Sequence, residues 1–396
     1  MQPSPPSQPQ LTAGTLAPGP GHRLRRRLPP LPPAATKVAA AILVAAVVSV
    51  PLLVLTGQHQ ASDSRGQHQT SPPGSSRVPL ASAAHPVFAA TLPNPGSDNR
   101  PHGLAFSPDG TLLAASSDTG DSTQLWHVAT HSIATTLTDP GGGKNTVYSV
   151  AFSPDGKMLA VGDTDDSTYL WDVASGHIVA TLTDPGGGNA AVEAVAFSPN
   201  GQTLAVGDFD GSTYLWNVAS GQLAATLTDP HGSGSVDSVA FAPNGQTLAA
   251  GDSFGTTYLW NASTDRLAST LTGPGDSSPV DSVAFSPGGQ TLAAGYDQGS
   301  TDLFDVATAQ VAATMTIPGS PVVNAVAFSM DGTLLAVGSD RTYLWDTTSR
   351  RIVATLADPV TGSSVPGNNV GAVAFSPDGS MVAAGDTGGT YLWNIG

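Results

Sequence analysis

The chain of 396 residues has no cysteine. Disulfides, thiolate nucleophiles and cysteine-held zinc are thereby excluded. Charged residues are scarce at 11%, whereas Gly (45) and Pro (33) are plentiful. That balance suits short strands and many turns better than helices. Basic residues are scarcest in the long C-terminal part. From His85 onward there are 7 Lys/Arg against 29 Asp/Glu, a net charge of −22. A body this acidic repels phosphate backbones, which argues against nucleic acid as a partner. It stays soluble and draws cations weakly.

The missing basic residues collect at the other end. Arg23, Arg25, Arg26, Arg27 and Lys37 fall within residues 1–37, which hold no acid. This Pro-, Gln- and Ser-rich stretch reads as a disordered tail, with polyproline-II character around LPPLPP. Its RRLPPLPP (residues 26–33) also resembles ligands of Src-homology-3-type domains, a match that Pro-rich tails produce by chance. Next, VAAAILVAAVVSVPLLVL runs from Val38 to Leu55 without a charge. Eighteen residues at about 1.5 Å each span roughly 27 Å, close to the hydrocarbon thickness of a bilayer. Pro51 is tolerated in a membrane-spanning helix. With every basic residue of the flank on the N-terminal side, the expectation is a single-pass signal anchor, its N-terminus cytoplasmic and the remainder extracytoplasmic. A cleaved signal peptide is the competing expectation, but TGQHQASDS after the apolar run is a poor cleavage site. Residues 56–84 are polar and read as a flexible stalk. His59 and His68, in its two GQHQ pieces, are expected to be solvated linker residues.

From residue 85 the sequence repeats. AFSPDG begins at Ala105, Ala151 and Ala374, with near-copies at Ala196, Ala240, Ala284 and Ala327. The Phe of each copy stands at 106, 152, 197, 241, 285, 328 and 375, a period of 43 to 47 residues. About 19 residues on, each unit carries an aromatic: Trp126, Trp171, Trp216, Trp260, Phe304, Trp345 or Trp393. One unit shows the local logic. VYSVAFS (147–153) alternates and is a strand; PDG turns the chain; KMLAVGD (157–163) is a second strand. TYLWDV (168–173) is a third, ASG turns again, and HIVATLTD (177–184) is the fourth. Seven such units predict an all-β, seven-bladed propeller of four-stranded antiparallel blades spanning 85–396. The last unit stops after its third strand, while HPVFAATLPNP (85–95) precedes the first unit and matches HIVATLTDP. Residues 85–92 are therefore expected to close the ring, hiding the sheet edges.

The period, the FSPDG turn and the LWD or LWN that ends five units resemble the WD-repeat β-propeller family. The resemblance covers 85–396 and implies a binding scaffold. The family's Gly-His before the first strand is absent, and Asp-Pro or Gly-Pro stands in most of those places. Its Asp six residues before the Trp is matched at Asp165 and Asp210.

No GxSxG, HExxH or phosphate loop occurs, the six His beyond residue 84 share no register, and the inner strands (SVAFS, AVAFS) look monotonous. Glu193, the only Glu, falls just before the first strand of its unit. GDTDDS (162–167) and GDFDGS (207–212) place carboxylates as a calcium loop begins, but the twelfth positions are Ala174 and Ala219. No catalytic residue, metal or cofactor is expected. Phe209, Phe254 and Tyr296 stand in second-to-third-strand loops of consecutive units, where other units have Thr or Ser. They are the candidate partner-binding residues, an exposed aromatic cluster on one face for a protein or cell-envelope ligand. The alternatives are a lactonase- or lyase-like propeller enzyme, and a sensor whose tail recruits a cytoplasmic partner.

Overall fold

The computed structural model describes residues 85–93, 100–117, 122–140, 145–186, 191–230, 232, 234–273, 278–319, 322–357 and 369–395. The tail, membrane span and stalk expected over 1–84 lie outside these residues. Among the described residues no helix is long and apolar enough to cross a membrane.

Twenty-eight described strands form seven four-stranded antiparallel sheets, as the repeat predicts. In blade 2 they are Val147–Phe152, Met158–Asp163, Ser167–Asp172 and His177–Thr183. The PDG turns are held locally. In blade 1 the Gly110 N–H donates to the Ser107 carbonyl at 2.8 Å, and the Ser107 hydroxyl donates to Asp109 Oδ1 at 2.6 Å. Gly110 takes a φ of 71°, which a side chain would resist. In blades 2, 3, 4 and 6 the Asp or Asn after the Trp serves the next turn: Asp172 accepts from the Ser175 N–H at 2.7 Å and Asn217 from the Ser220 N–H at 2.9 Å, with Asn261 and Asp346 alike. The LWD and LWN signatures are thus strand ends with a built-in turn cap.

Period-2 alternation gives each blade two unlike faces. Blade 2 turns Ala151, Ala160, Leu170 and Leu182 toward blade 3. Blade 3 meets them with Val192, Val195, Phe197, Tyr214 and Trp216. A flat, small-residue face packed on a bulky one recurs at blades 1 and 2, 3 and 4, 4 and 5, and 5 and 6. Close approach also needs bare backbone: a Cβ on Gly162 would lie 2.5 Å from Val192 Cγ1. First strands touch one another in a closed circle and so line the axis. Fourth strands are mostly exposed, with one buried residue near the end of each, and form the rim.

The ring closes between blades 7 and 1. Val87–Leu92 pairs antiparallel with Gly389–Asn394 as the fourth strand of blade 7, with Phe88 opposite Trp393 and their rings edge to face at 6.2 Å. The blades are also latched near the axis by serines of the first strands. Ser149 Oγ accepts from the Val195 N–H at 3.0 Å, Ser238 from Val283 at 2.8 Å and Ser282 from Val326 at 2.8 Å. Removing one acceptor leaves a buried N–H unpaired. Ser238→Ala should therefore cost about 1–3 kcal/mol in urea unfolding without changing the m-value; an unchanged midpoint would show that the latch carries no stability.

Candidate functional site

The two ends of the propeller differ. One end carries the PDG turns and the turns after each Trp, nearly the same in every blade. The other carries the second-to-third-strand loops and the connections between blades. The first strand of each blade starts at this second end, because its first residue pairs with the last of the second strand, as in Val192↔Asp208.

Here the repeat breaks. The first strands of blades 2 to 5 shift register around one residue each: Tyr148, Glu193, Asp237 and Asp281. A bulge frees that residue from pairing and re-aims it. The counterparts in blades 1, 6 and 7 are His102, Asn324 and Gly371. The sequence reading passed over this belt, because VAFS repeats faithfully just after it. Glu193 lies within its strand, Val192–Phe197, rather than before it.

The belt residues engage neighbouring blades. His102 meets the Tyr148 ring edge to face at 5.2 Å, and Asn324 Nδ2 donates to the Val370 carbonyl at 3.0 Å. Asp237 accepts from the Ser235 hydroxyl at 2.5 Å. At Gly371 the missing side chain makes room for Arg100, whose Nε would lie 3.2 Å from a Cβ there. Three successive acids stand in blades 3 to 5. Burial pushes the Glu193 carboxyl up to about 8, with Asp237 and Asp208 adding repulsion.

Of the three candidate aromatics, two sit as expected. Phe209 is 60% exposed and Phe254 49% exposed, each just beyond the end of a second strand at this face. Phe254 lies along Gly234 of the preceding connection, where a Cβ would meet its ring at 2.5 Å. Tyr296 does not join them. It is 2% exposed and ends the strand Thr291–Tyr296 inside the seam between blades 4 and 5. The reason lies in its partner. Register sets Tyr296 level with Asp252 of blade 4, and Asp302 level with Tyr258. Blade 5 has exchanged the two residue types; burial, and after it the charge of Asp302, raise the Tyr296 pKa.

The same seams hold paired carboxyls. Asp184 follows the last strand of blade 2, His177–Thr183, and faces Asp208 of blade 3; a hydrogen bond between them requires a proton on one. Burial raises the Asp184 pKa, and Asp208, Asp210 and Asp166 raise it further. Burial likewise raises Asp208 and Asp252. Asp165 and Asp210, the positions that match the family's Asp, accept from the hydroxyls of Tyr169 and Tyr214, both at 2.7 Å. Among the described residues no three His, Asp or Glu side chains form a group that could hold a metal ion. A groove of about 770 Å³ at the opposite end, between blades 2 and 3, is lined by Met158, Val179 and Val218 with the polar Asp172, Gln202, Asn217 and Ser220, of which Asp172 and Asn217 cap their own turns.

No curated protein matches the chain. The WD domain, G-beta repeat family matches seven times, at residues 89–126, 133–172, 176–217, 221–261, 266–305, 312–346 and 360–394. The first six matches begin at or within the fourth strand of one blade, and all seven end with the third strand of a blade, so the repeat stitches neighbours together and its first copy takes in most of the closing strand. These matches cover most of the chain beyond residue 88, and the chain belongs to the WD-repeat, G-beta repeat family.

Proposed function

We propose that this chain is a non-catalytic scaffold that binds a protein through the end carrying the belt and the second-to-third-strand loops. The observation that carries the reading is the contrast between the two ends. Both need turns, but only one varies from blade to blade. Its variations are the ones binding needs: exposed aromatics at Phe209 and Phe254, and polar residues at the first-strand bulges. WD-repeat propellers commonly bind proteins, which supports the reading by family likeness. The proposal extends to placement: residues 38–55 anchor the chain in a membrane, with the propeller on the outer side and the basic tail inside. It assigns no catalytic residue and no cofactor.

Two experiments test it. Photo-crosslinking from a residue beside Phe209 should trap a discrete partner, and Phe209→Ser with Phe254→Ser should abolish the adduct. The thermal midpoint of this variant should move little, because exposed side chains contribute within about ±0.5 kcal/mol. An adduct that survives the double substitution removes the aromatics from the interface. Protease added to intact cells should remove a C-terminal tag and spare an N-terminal one; the reverse pattern overturns the placement.

A further inference from the structure

The acidic arc of the belt sits where the fold asks for no acid. Its position is Tyr in blade 2, Asn in blade 6 and Gly in blade 7, so Glu193, Asp237 and Asp281 are not needed to form a first strand. They occupy three consecutive blades, and all three are buried, at 5%, 6% and 7% exposure. Glu193 Oε2 is buried without a hydrogen-bond partner. A buried carboxyl oxygen with nothing to bond is costly, and a ligand donor would offset that cost. The chain already illustrates the complementary arrangement at blade 7, where bare Gly371 lets the Arg100 side chain lie at belt level.

We infer that Glu193, with Asp237 of the next blade beside it, is a recessed subsite for one lysine or arginine side chain of the protein partner. This rests on the binding end assigned above. The recess selects the ligand's shape: a cation on a long, thin aliphatic stem reaches buried carboxylates, whereas a compact or bulky cation does not. An arginine fork supplies several N–H donors to paired carboxyl oxygens. The net charge of −22 from residue 85 onward attracts such a partner from a distance. Phe209, in the loop that follows the strand paired with the Val192–Phe197 strand, would cover the stem beside the recess.

Ligation has a proton signature. Glu193, held neutral in the free protein by burial and by Asp237 and Asp208, must ionise to pair with a cation. Binding at pH 7 should therefore release close to one proton. The probe is an acetyl-Gly-Arg-Gly-amide peptide, compared with its citrulline counterpart, which keeps the shape and loses the charge. Calorimetry of the full chain in detergent, in phosphate and in Tris, reads both affinity and proton count. The arginine peptide should bind at least ten-fold more tightly than the citrulline one, with proton release. Glu193→Gln should lose about ten-fold in affinity together with that release, while its thermal midpoint at pH 7 holds or rises. Equal binding of the two peptides, or an unaltered Glu193→Gln variant, overturns the subsite. The Phe209→Ser/Phe254→Ser variant separates the two readings. If it loses the cross-linked partner while the arginine peptide binds nowhere, the binding end stands and the cationic subsite falls.

Discussion

Asp184→Asn should raise the thermal midpoint at pH 8 by roughly 3 °C or more and leave it nearly unchanged at pH 4.5. The argument starts from the seam between blades 2 and 3, where Asp184 and Asp208 face each other with Asp210 and Asp166 nearby. An unfolded Asp titrates near 3.9. In the folded chain the Asp184 value is raised, first by burial and then by these neighbours. Between the two values the folded state holds a proton that the unfolded state has lost. Stability from such a group is fully present below the unfolded value and declines as pH rises toward the folded one. Asparagine supplies a permanent donor to Asp208 and needs no proton, so its advantage appears only in the alkaline part of that window. Glu193, Asp208, Asp252 and Asp302 are raised in the same direction, burial being the first cause in each.

The turns oppose this on the acid side. Hydrogen bonds from Ser107, Ser153 and Ser376 hold Asp109, Asp155 and Asp378 below the usual carboxylate range. Their contribution is present above the unfolded value and is lost as pH falls through the folded one. The wild-type midpoint should therefore peak near pH 5, falling on both sides, in a titration of melting temperature from pH 3 to 9. A midpoint that is flat or rises from pH 5 to 8 would contradict the seam assignment. So would an Asp184→Asn effect that does not change with pH.

The architecture was legible because every blade restates it. The Phe period, the PDG turn and the Trp-ended third strand specify local geometry and packing at once, and seven copies average out the irregularities of any one. The face was legible only in part, for a physical reason. Sequence position tells that Phe209, Phe254 and Tyr296 lie near the same end, but not which way each side chain turns. For Phe209 and Phe254 the loop residue points to solvent. Tyr296 instead is the last residue of its strand, level with Asp208 and Asp252 and one to two positions before the places of Phe209 and Phe254, and its ring is carried into the seam. A signal did exist: TDLF stands in blade 5 where five units have TYLW, so the Tyr missing from the third strand had moved to the second. The belt was missed for the opposite reason. A bulged residue breaks the period-2 pattern by design, and one odd residue before a perfect VAFS looks like the edge of a motif rather than its functional part.

The blade 5 exchange makes the second large prediction. In blade 4, Tyr258 on the third strand interacts with Asp252 at the end of the second and with Asp229 of blade 3. In blade 5 the positions carry Asp302, Tyr296 and Gly273. Gly273 completes the exchange: a Cβ there would lie 2.6 Å from Asp302 Oδ2 and 2.8 Å from the Tyr296 hydroxyl. The tyrosine oxygen thus stands where Asp139, Asp184 and Asp229 place a seam carboxylate in the first three blades. Tyr296→Asp alone should cost about 3–5 kcal/mol, because it removes a buried ring and sets a second carboxyl beside buried Asp302. Asp302→Tyr alone should also destabilise, by overpacking a seam that already holds one tyrosine. The double variant restores the blade 4 order and should recover most of the loss, with a coupling energy of at least about 2 kcal/mol in urea unfolding. Gly273→Ala sharpens the test. It should destabilise the wild type through the two close contacts and be tolerated in the double variant, where that corner matches the one that accommodates Asp229. Additive losses in the cycle, or a Gly273→Ala cost that is the same in both backgrounds, would mean that Tyr296 and Asp302 sit side by side without substituting for the pair in blade 4.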